Sequence, residues 1–228
     1  MGMHLLPFRA LLAVPPLCVL STATACAAPG RPDVDLPSPT RELKLPPKGP
    51  AVAVFAAGCF WCIEGAFERI AGVTEVVSGY AGGSAESAHY DQVAAGATDH
   101  AEAVRIAFDP AQVSYGQLLQ VFFTIHDPTT KDRQGPDHGR QYRSAIFVAS
   151  AEESAVAQAY IRQLGEAGLF PRPIVTTVEK LDRFYPAEGY HQDYVRKHPD
   201  HPYVRAWFPA KEKKLRAHLR ALLRPDAR

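Results

Sequence analysis

Val52-Ala-Val-Phe-Ala-Ala-Gly-Cys-Phe-Trp-Cys-Ile-Glu-Gly-Ala-Phe-Glu-Arg-Ile70 changes period halfway along. Up to Ala57 it is a short apolar run closed by a glycine, the pattern of a buried strand. Beyond Gly58, the residues Ile63, Ala66, Phe67 and Ile70 recur at the spacing of one helical face, with Glu64, Glu68 and Arg69 expected on the other. The stretch is read as a strand, a turn at Gly58 and a helix. Cys59 and Cys62 then fall in the first helical turn, where unpaired N–H groups and the positive end of the helix dipole favour thiolate over thiol.

On the N-terminal side, Met1 to Ala28 has the form of an export signal: a start carrying His4 and Arg9, an apolar run from Ala10 to Leu20, then small residues. The run is short, and Pro15 and Pro16 break it, which excludes a membrane-spanning helix. Ala23-Thr24-Ala25 suits an ordinary signal peptidase, whereas Ala25-Cys26 resembles a lipoprotein cleavage site, and both readings stay open. The expected location is outside the cytosol of a bacterium, periplasmic or held to a membrane only through a lipid on Cys26. Residues 29–50, rich in proline and without period, are expected as a linker, with one domain over 51–228.

The chain has 228 residues and a formal charge of +1, with no basic stripe or run of like charge, so nucleic acid is not an expected partner. Of its four cysteines, Cys18 belongs to the signal and Cys26 to its end, leaving Cys59 and Cys62 for the domain. A bridge between these two would close a very short loop and contribute little as a staple. Redox work is the preferred reading. A structural zinc site needs two more ligands at compatible spacing, and no second Cys pair exists, so no metal is expected.

Past the opening stretch, Val73 to Val77 reads as a strand ended by Gly79-Tyr-Ala-Gly-Gly83, followed by a long polar loop to His100. Ala101 to Asp109 alternates, which sets Glu102 in line with Val104, Ile106 and Phe108. A carboxylate at the head of an apolar face is usually a strand-end group still in water. If it is partly buried, its pKa rises and it becomes a proton donor near neutrality. Ser114 is expected to cap a helix whose inner stripe is Tyr115, Leu118, Leu119, Phe122 and Ile125. A second long loop spans Asp127 to Arg143. Ser144 to Ala149 is a strand, Ser150 and Glu153 open a helix with a capping box, Ile174 to Leu181 is a further strand, and Pro209 to Leu223 is an amphipathic helix. This order gives an α+β domain with helices on one face of a mixed sheet.

Gly58-Cys-Phe-Trp-Cys62, Gly79-Tyr-Ala-Gly-Gly83, His100-Ala-Glu-Ala-Val104 and Asp137-His-Gly-Arg-Gln-Tyr-Arg-Ser144 together resemble the A-type peptide methionine sulfoxide reductases, across roughly Ala51 to Phe208. The resemblance implies a ferredoxin-like two-layer sandwich with long active-site loops. It also implies reduction of the S epimer of methionine sulfoxide, free or in oxidised proteins, with no bound cofactor and an external thioredoxin-like dithiol as reductant. Residue by residue, it casts Cys59 as the nucleophile, Glu102 as the acid that protonates the sulfoxide oxygen, and Tyr90 and Tyr142 as hydroxyls on that oxygen. Phe60 and Trp61 become the wall around the substrate methyl group, and Asp137 and His138 polar neighbours of the substrate. Glu188, His191 and Tyr194, with Tyr185, line or brace the pocket.

Many members of that family carry resolving cysteines near the C-terminus, and this chain has none after Cys62. Cys62 is therefore expected to attack the Cys59 sulfenic acid itself. A buried, inert Cys62 is the alternative. A general thiol–disulfide oxidoreductase, which would not need Glu102, and a binding domain for oxidised methionine, which would leave the sulfoxide unchanged, are the rival functions.

Overall fold

The computed structural model describes residues 1–2, 34–45, 49 and 51–227. The expected export signal, Cys26 and part of the expected linker lie outside the described residues. No helix among those described is long and apolar enough to cross a membrane.

The chain runs β1 (Ala51–Ala57), α1 (Phe60–Phe67), β2 (Val73–Ala81), α2 (Tyr90–Ala94), β3 (Ala101–Phe108) and α3 (Tyr115–Ile125). Two short strands follow, β4 (Arg133–Gln134) and β5 (Asp137–His138), then β6 (Ser144–Val148), α4 (Ala151–Glu166), β7 (Thr177–Lys180), β8 (Phe184–Pro186), α5 (Tyr194–Lys197) and α6 (Pro202–His218). The main sheet has the order β7-β6-β1-β3-β2-β8. Its four central strands are antiparallel neighbours, β7 joins β6 in parallel, and β8 extends the far edge beside β2. This is the expected α+β architecture: a β1-α1-β2-β3-α3-β6 core with the ferredoxin-like order.

Side-chain size assigns the two faces. Phe55, Val104, Ile106 and Phe108 point into the core shared with the helices. Val54, Ala56, Ala101, Ala103, Ala145 and Phe147 form a thinner cluster on the other face, to which no helix among the described residues contributes. Alternation at period two separates bulky from small residues, so only one face can hold a helical layer.

Several boundaries differ from the sequence reading. β2 continues through Gly79, where a Cβ would collide with the Tyr185 carbonyl of β8, so glycine lets the edge strand dock. α3 has the expected cap, with reciprocal bonds between Ser114 and Gln117. In α4, Ser150 accepts from the Glu153 N–H, but the Glu153 carboxylate takes the Ala149 N–H instead of completing the box. α6 begins at Pro202, not at Pro209, and carries Pro209 in its interior. Proline at the first position costs nothing there. The penalty at Pro209 is outweighed by the buried face of Val204, Phe208 and Leu215.

Residues 34–45, expected as a spacer, lie against the domain. Leu36 is buried, the Tyr160 hydroxyl donates to the Pro37 carbonyl at 2.8 Å, and Gln163 bonds both Ser38 and Thr40. Glu42 accepts from Ser114 Oγ and the Gly116 N–H, placing a carboxylate on the positive end of α3.

Candidate active site

Gly58 turns the end of β1 into α1. Its φ of +87° is open to glycine, and a Cβ would stand 2.5 Å from Gln134 Cβ. The turn leaves Cys59 as the N-cap of α1, partly exposed, with Cys62 one turn later and buried. Both thiols are free and hydrogen-bonded to each other.

The electrostatics of the pair correct the expectation of a Cys59 thiolate. Burial pushes the Cys59 thiol well above its ordinary value; its bond to Cys62 and the negative charges of Glu102 and Cys62 add to this, and the Trp61 N–H opposes them. The Cys62 thiol is lowered, first by the hydrogen bond from Cys59 and then, against burial, by the positive charge of Lys211. The two shifts run in opposite directions, favouring the protonated form of Cys59 and the ionised form of Cys62 relative to free thiols. One helix end cannot offset desolvation and a neighbouring carboxyl.

That carboxyl belongs to Glu102, the second residue of β3. Glu102 is 2 % exposed, and its Oε2 accepts the Phe60 N–H at 3.0 Å, directly beside Cys59. Burial raises its pKa from 4.5 to about 8, against the pull of that N–H. Of the two readings of this residue, the buried one holds. Glu102 therefore carries a proton at neutral pH and is an acid poised to release it.

Tyr90 and Tyr142 both approach this carboxyl. Burial comes first, then the charge of Glu102, in raising each phenol above its ordinary value, so both remain hydrogen-bond donors. Tyr90 opens α2, and Tyr142 ends a short turn before β6. Phe60 is fully buried against Tyr80 and His191, at ring-centroid distances of 5.9 and 5.0 Å. Trp61 is half-buried and stacks flat on Tyr194 at 3.7 Å and 6°, and its Nε1–H donates to His191 Nδ1 at 3.0 Å. That bond makes Nδ1 the acceptor and leaves the imidazole neutral, in keeping with a pKa lowered by burial.

Glu188 braces the aromatic wall from behind. Its two oxygens accept the Tyr80 hydroxyl at 2.8 Å and the Tyr90 N–H at 3.0 Å, which ties β2 to α2. Tyr185 sits in β8 opposite Tyr80, edge-on to His100, so it holds the sheet edge and not the cysteine pair. Asp137 and His138 lie on β5, where Asp137 accepts the Tyr203 hydroxyl. Burial raises Asp137, while Tyr203, Lys211 and His138 pull it down. The structure thus gathers Cys59, Cys62, Glu102, Phe60, Trp61, Tyr90, Tyr142, Asp137, His138, His191 and Tyr194 around the start of α1, with Glu188 one layer further out.

A cavity of about 760 Å³ opens on both cysteines between β4–β5 and α6. A larger groove, of about 910 Å³, beside α1, β2 and α6 is lined by neither cysteine. Tyr203, Trp207 and Lys211 in the cysteine cavity were missed in the sequence because the helix was expected to begin at Pro209, which left Tyr203 and Trp207 outside it and hid the stripe they form with Lys211; their spacing of four residues is the signal that would have found them. Glu64 was expected in solvent and is 1 % exposed, accepting the Tyr194 N–H, with its pKa raised from 4.5 to about 7 by burial. His126 is occupied by the Phe122 carbonyl and Ser144, and His100 by Gly83 and Ser84, which gives both histidines structural partners.

The family model for peptide methionine sulfoxide reductase matches residues 51–222. Peptide methionine sulfoxide reductase MsrA 2 of Synechocystis is 56% identical over 158 residues, covering 69% of this chain and 74% of that protein. MsrA of Thermus thermophilus is 49% identical over 174 residues, 76% of this chain and 98% of its own. Among solved structures, reduced Mxr1 of Saccharomyces cerevisiae has a TM-score of 0.60 at 34% identity, covering 69% of this chain and 91% of that one. Methionine sulfoxide reductase A of Corynebacterium diphtheriae has a TM-score of 0.58, also at 34% identity, covering 66% of this chain and 76% of its own. With a thiol, a protonated carboxylic acid and an aromatic wall at one helix start, the chain belongs to the peptide methionine sulfoxide reductase family and reduces methionine sulfoxide.

Proposed function

We propose that this reductase acts on the S epimer, with Cys59 as nucleophile, Glu102 as acid and Cys62 as resolving thiol. The observation that carries the reading is the Phe60 N–H to Glu102 Oε2 bond of 3.0 Å, which holds a protonated carboxyl next to Cys59. Cys59 attacks the sulfoxide sulfur. A sulfoxide oxygen leaves only as it is protonated, and Glu102 supplies that proton. The Cys59–sulfur bond made in the attack breaks as the oxygen leaves the substrate sulfur and joins Cys59, so the substrate sulfur is reduced to a thioether and Cys59 is oxidised to a sulfenic acid. Tyr90 and Tyr142 donate to the oxygen as charge builds on it. Phe60 and Trp61 receive the methyl group, and Asp137 and His138 meet the rest of the substrate.

Cys62 then attacks the sulfenic sulfur: the S–S bond forms, the S–O bond breaks and the oxygen leaves as water. A dithiol protein of the thioredoxin type exchanges with the disulfide and restores both thiols. The mutual hydrogen bond of the two cysteines supports this order, since they already touch. Oxidised proteins and free methionine sulfoxide are the substrates in this reading. The N-terminal sequence supports export to the periplasm, by a cleaved signal or with a lipid on Cys26.

Separated S and R sulfoxides of methionine, offered with dithiothreitol, test the assignment. Only the S form should yield methionine. Consumption of R at a similar rate would overturn it.

A further inference from the structure

The cavity between β4–β5 and α6 brings a cation to the cysteine pair as well as the substrate-side residues Asp137 and His138. Cys59 and Cys62 line it, whereas Glu102, Phe60, Trp61, Tyr90 and Tyr142 do not. Cys59 thus lies between the Glu102 and aromatic side chains and this cavity, which Cys62 also lines. One stripe of α6, formed by Tyr203, Trp207, Lys211 and Lys214, makes the opposite wall. The Lys211 ammonium is anchored there by a 2.8 Å bond to the carbonyl of Ile125, which closes α3 and also lines the cavity. Holding the cation at a helix C-terminus fixes it on the cysteine side of α6.

We propose that Lys211 is the counter-ion of the cysteine pair, stabilising negative charge on the Cys62 sulfur at the two moments when the reaction puts it there. The first is the attack of Cys62 on the Cys59 sulfenic acid. The second is recycling: a thiolate of the reductant attacks the Cys59 sulfur, the Cys59–Cys62 bond breaks, and Cys62 leaves with the electron pair. The mixed disulfide therefore forms on Cys59, because exchange is fastest when the leaving thiol is the more acidic. The proposal rests on Cys62 being the resolving thiol.

The other charges around the pair do not duplicate this role. Asp137 raises the Cys62 thiol, opposing Lys211, and is itself held by the Tyr203 hydroxyl. Glu102 is neutral near pH 7. Asp127 and Arg172 pair with each other across the cavity rim at 3.4 Å. Arg133, Lys214, His126 and His138 also line the cavity, and the charge of Lys211 lowers the Cys62 thiol.

The test uses the full chain and compares Lys211→Met and Lys211→Arg in single turnover, following methionine release and disulfide formation separately. For Lys211→Met, the ratio of the disulfide phase to the release phase should fall about tenfold, and the disulfide phase should move to higher pH. Lys211→Arg should restore both, which separates lost charge from lost packing. A Lys211→Met ratio and pH profile equal to the parent's would overturn the proposal. Cys62→Ser distinguishes the two layers of inference: undiminished recycling in that variant removes Cys62 from the mechanism, whereas loss of recycling there with a normal Lys211→Met removes Lys211 alone. Trapping with a reductant whose second cysteine is replaced by serine should give a mixed disulfide mapped to Cys59; one mapped to Cys62 would reverse the leaving-group assignment.

Discussion

Glu102 and Cys59 keep the order of free side chains, but both titrate far higher than they would in water. The acid has a pKa of about 8, and the thiol beside it is held well above 9.0, both chiefly by burial. The reacting form needs Glu102 protonated and Cys59 ionised, so a rise in pH brings more thiolate but removes the acid as it passes 8. The single-turnover rate should climb with pH, level near 8 and fall beyond the second ionisation. Glu102→Gln should lower the rate at pH 7 by about 10² to 10⁴ and abolish the falling limb, because no acid remains to lose. A falling limb that persists in Glu102→Gln would assign the acid to another group. The same burial that makes Glu102 useful explains why its sequence position left two readings open: alternation shows which face a carboxylate takes but not whether water reaches it.

At the scale of elements, the pocket wall is an agreement between α1 and the segment leading into α6. Trp61 lies on α1, and Tyr194 opens α5; they stack at 3.7 Å, with Tyr203 and His201 edge-on to the indole. Glu64, one turn after Trp61, accepts the Tyr194 N–H and so fixes the backbone that carries the stacked ring. An aromatic pair of this kind is worth about 0.5–1.5 kcal/mol beyond its area. Tyr194→Ala should raise KM for the sulfoxide about two- to tenfold, with kcat changed less, because Trp61 loses its backing while Cys59 and Glu102 keep their bond through the Phe60 N–H. A drop confined to kcat would mean that the stack serves the chemical step instead.

For the molecule as a whole, the unexpected feature is the strap of residues 34–45. It crosses α3, α4 and α6 through Leu36, Glu42, the Gln163 bonds and the Asp35–His218 contact. Leu36 is 5 % exposed and belongs to the main core. Leu36→Ala should cost about 2–5 kcal/mol in urea unfolding without altering KM, since the strap lies on the helices and not on the cysteine cavity. A loss below 0.5 kcal/mol would show that the strap is peripheral to stability.

Local pattern determined much of this protein. The change of period at Gly58 set β1 and α1, the alternation of β3 put Glu102 on the helix-side face, and the stripe and cap of α3 were readable because apolar period and capping chemistry are properties of a few adjacent residues. The same four motifs carried the family resemblance. Tertiary structure decided the rest. Whether Glu102 and Glu64 are in water, whether residues 34–45 span or pack, where α6 begins, and which cation faces Cys62 all depend on surfaces brought together from distant parts of the chain. The charge on a cysteine is set by desolvation and by neighbours such as Glu102 and Lys211, 43 and 152 positions beyond Cys59 in the chain. A helix start alone favours a thiolate at Cys59; in the packed site the Cys59 thiol is raised and the Cys62 thiol lowered, because burial and neighbouring groups outweigh a single helix end.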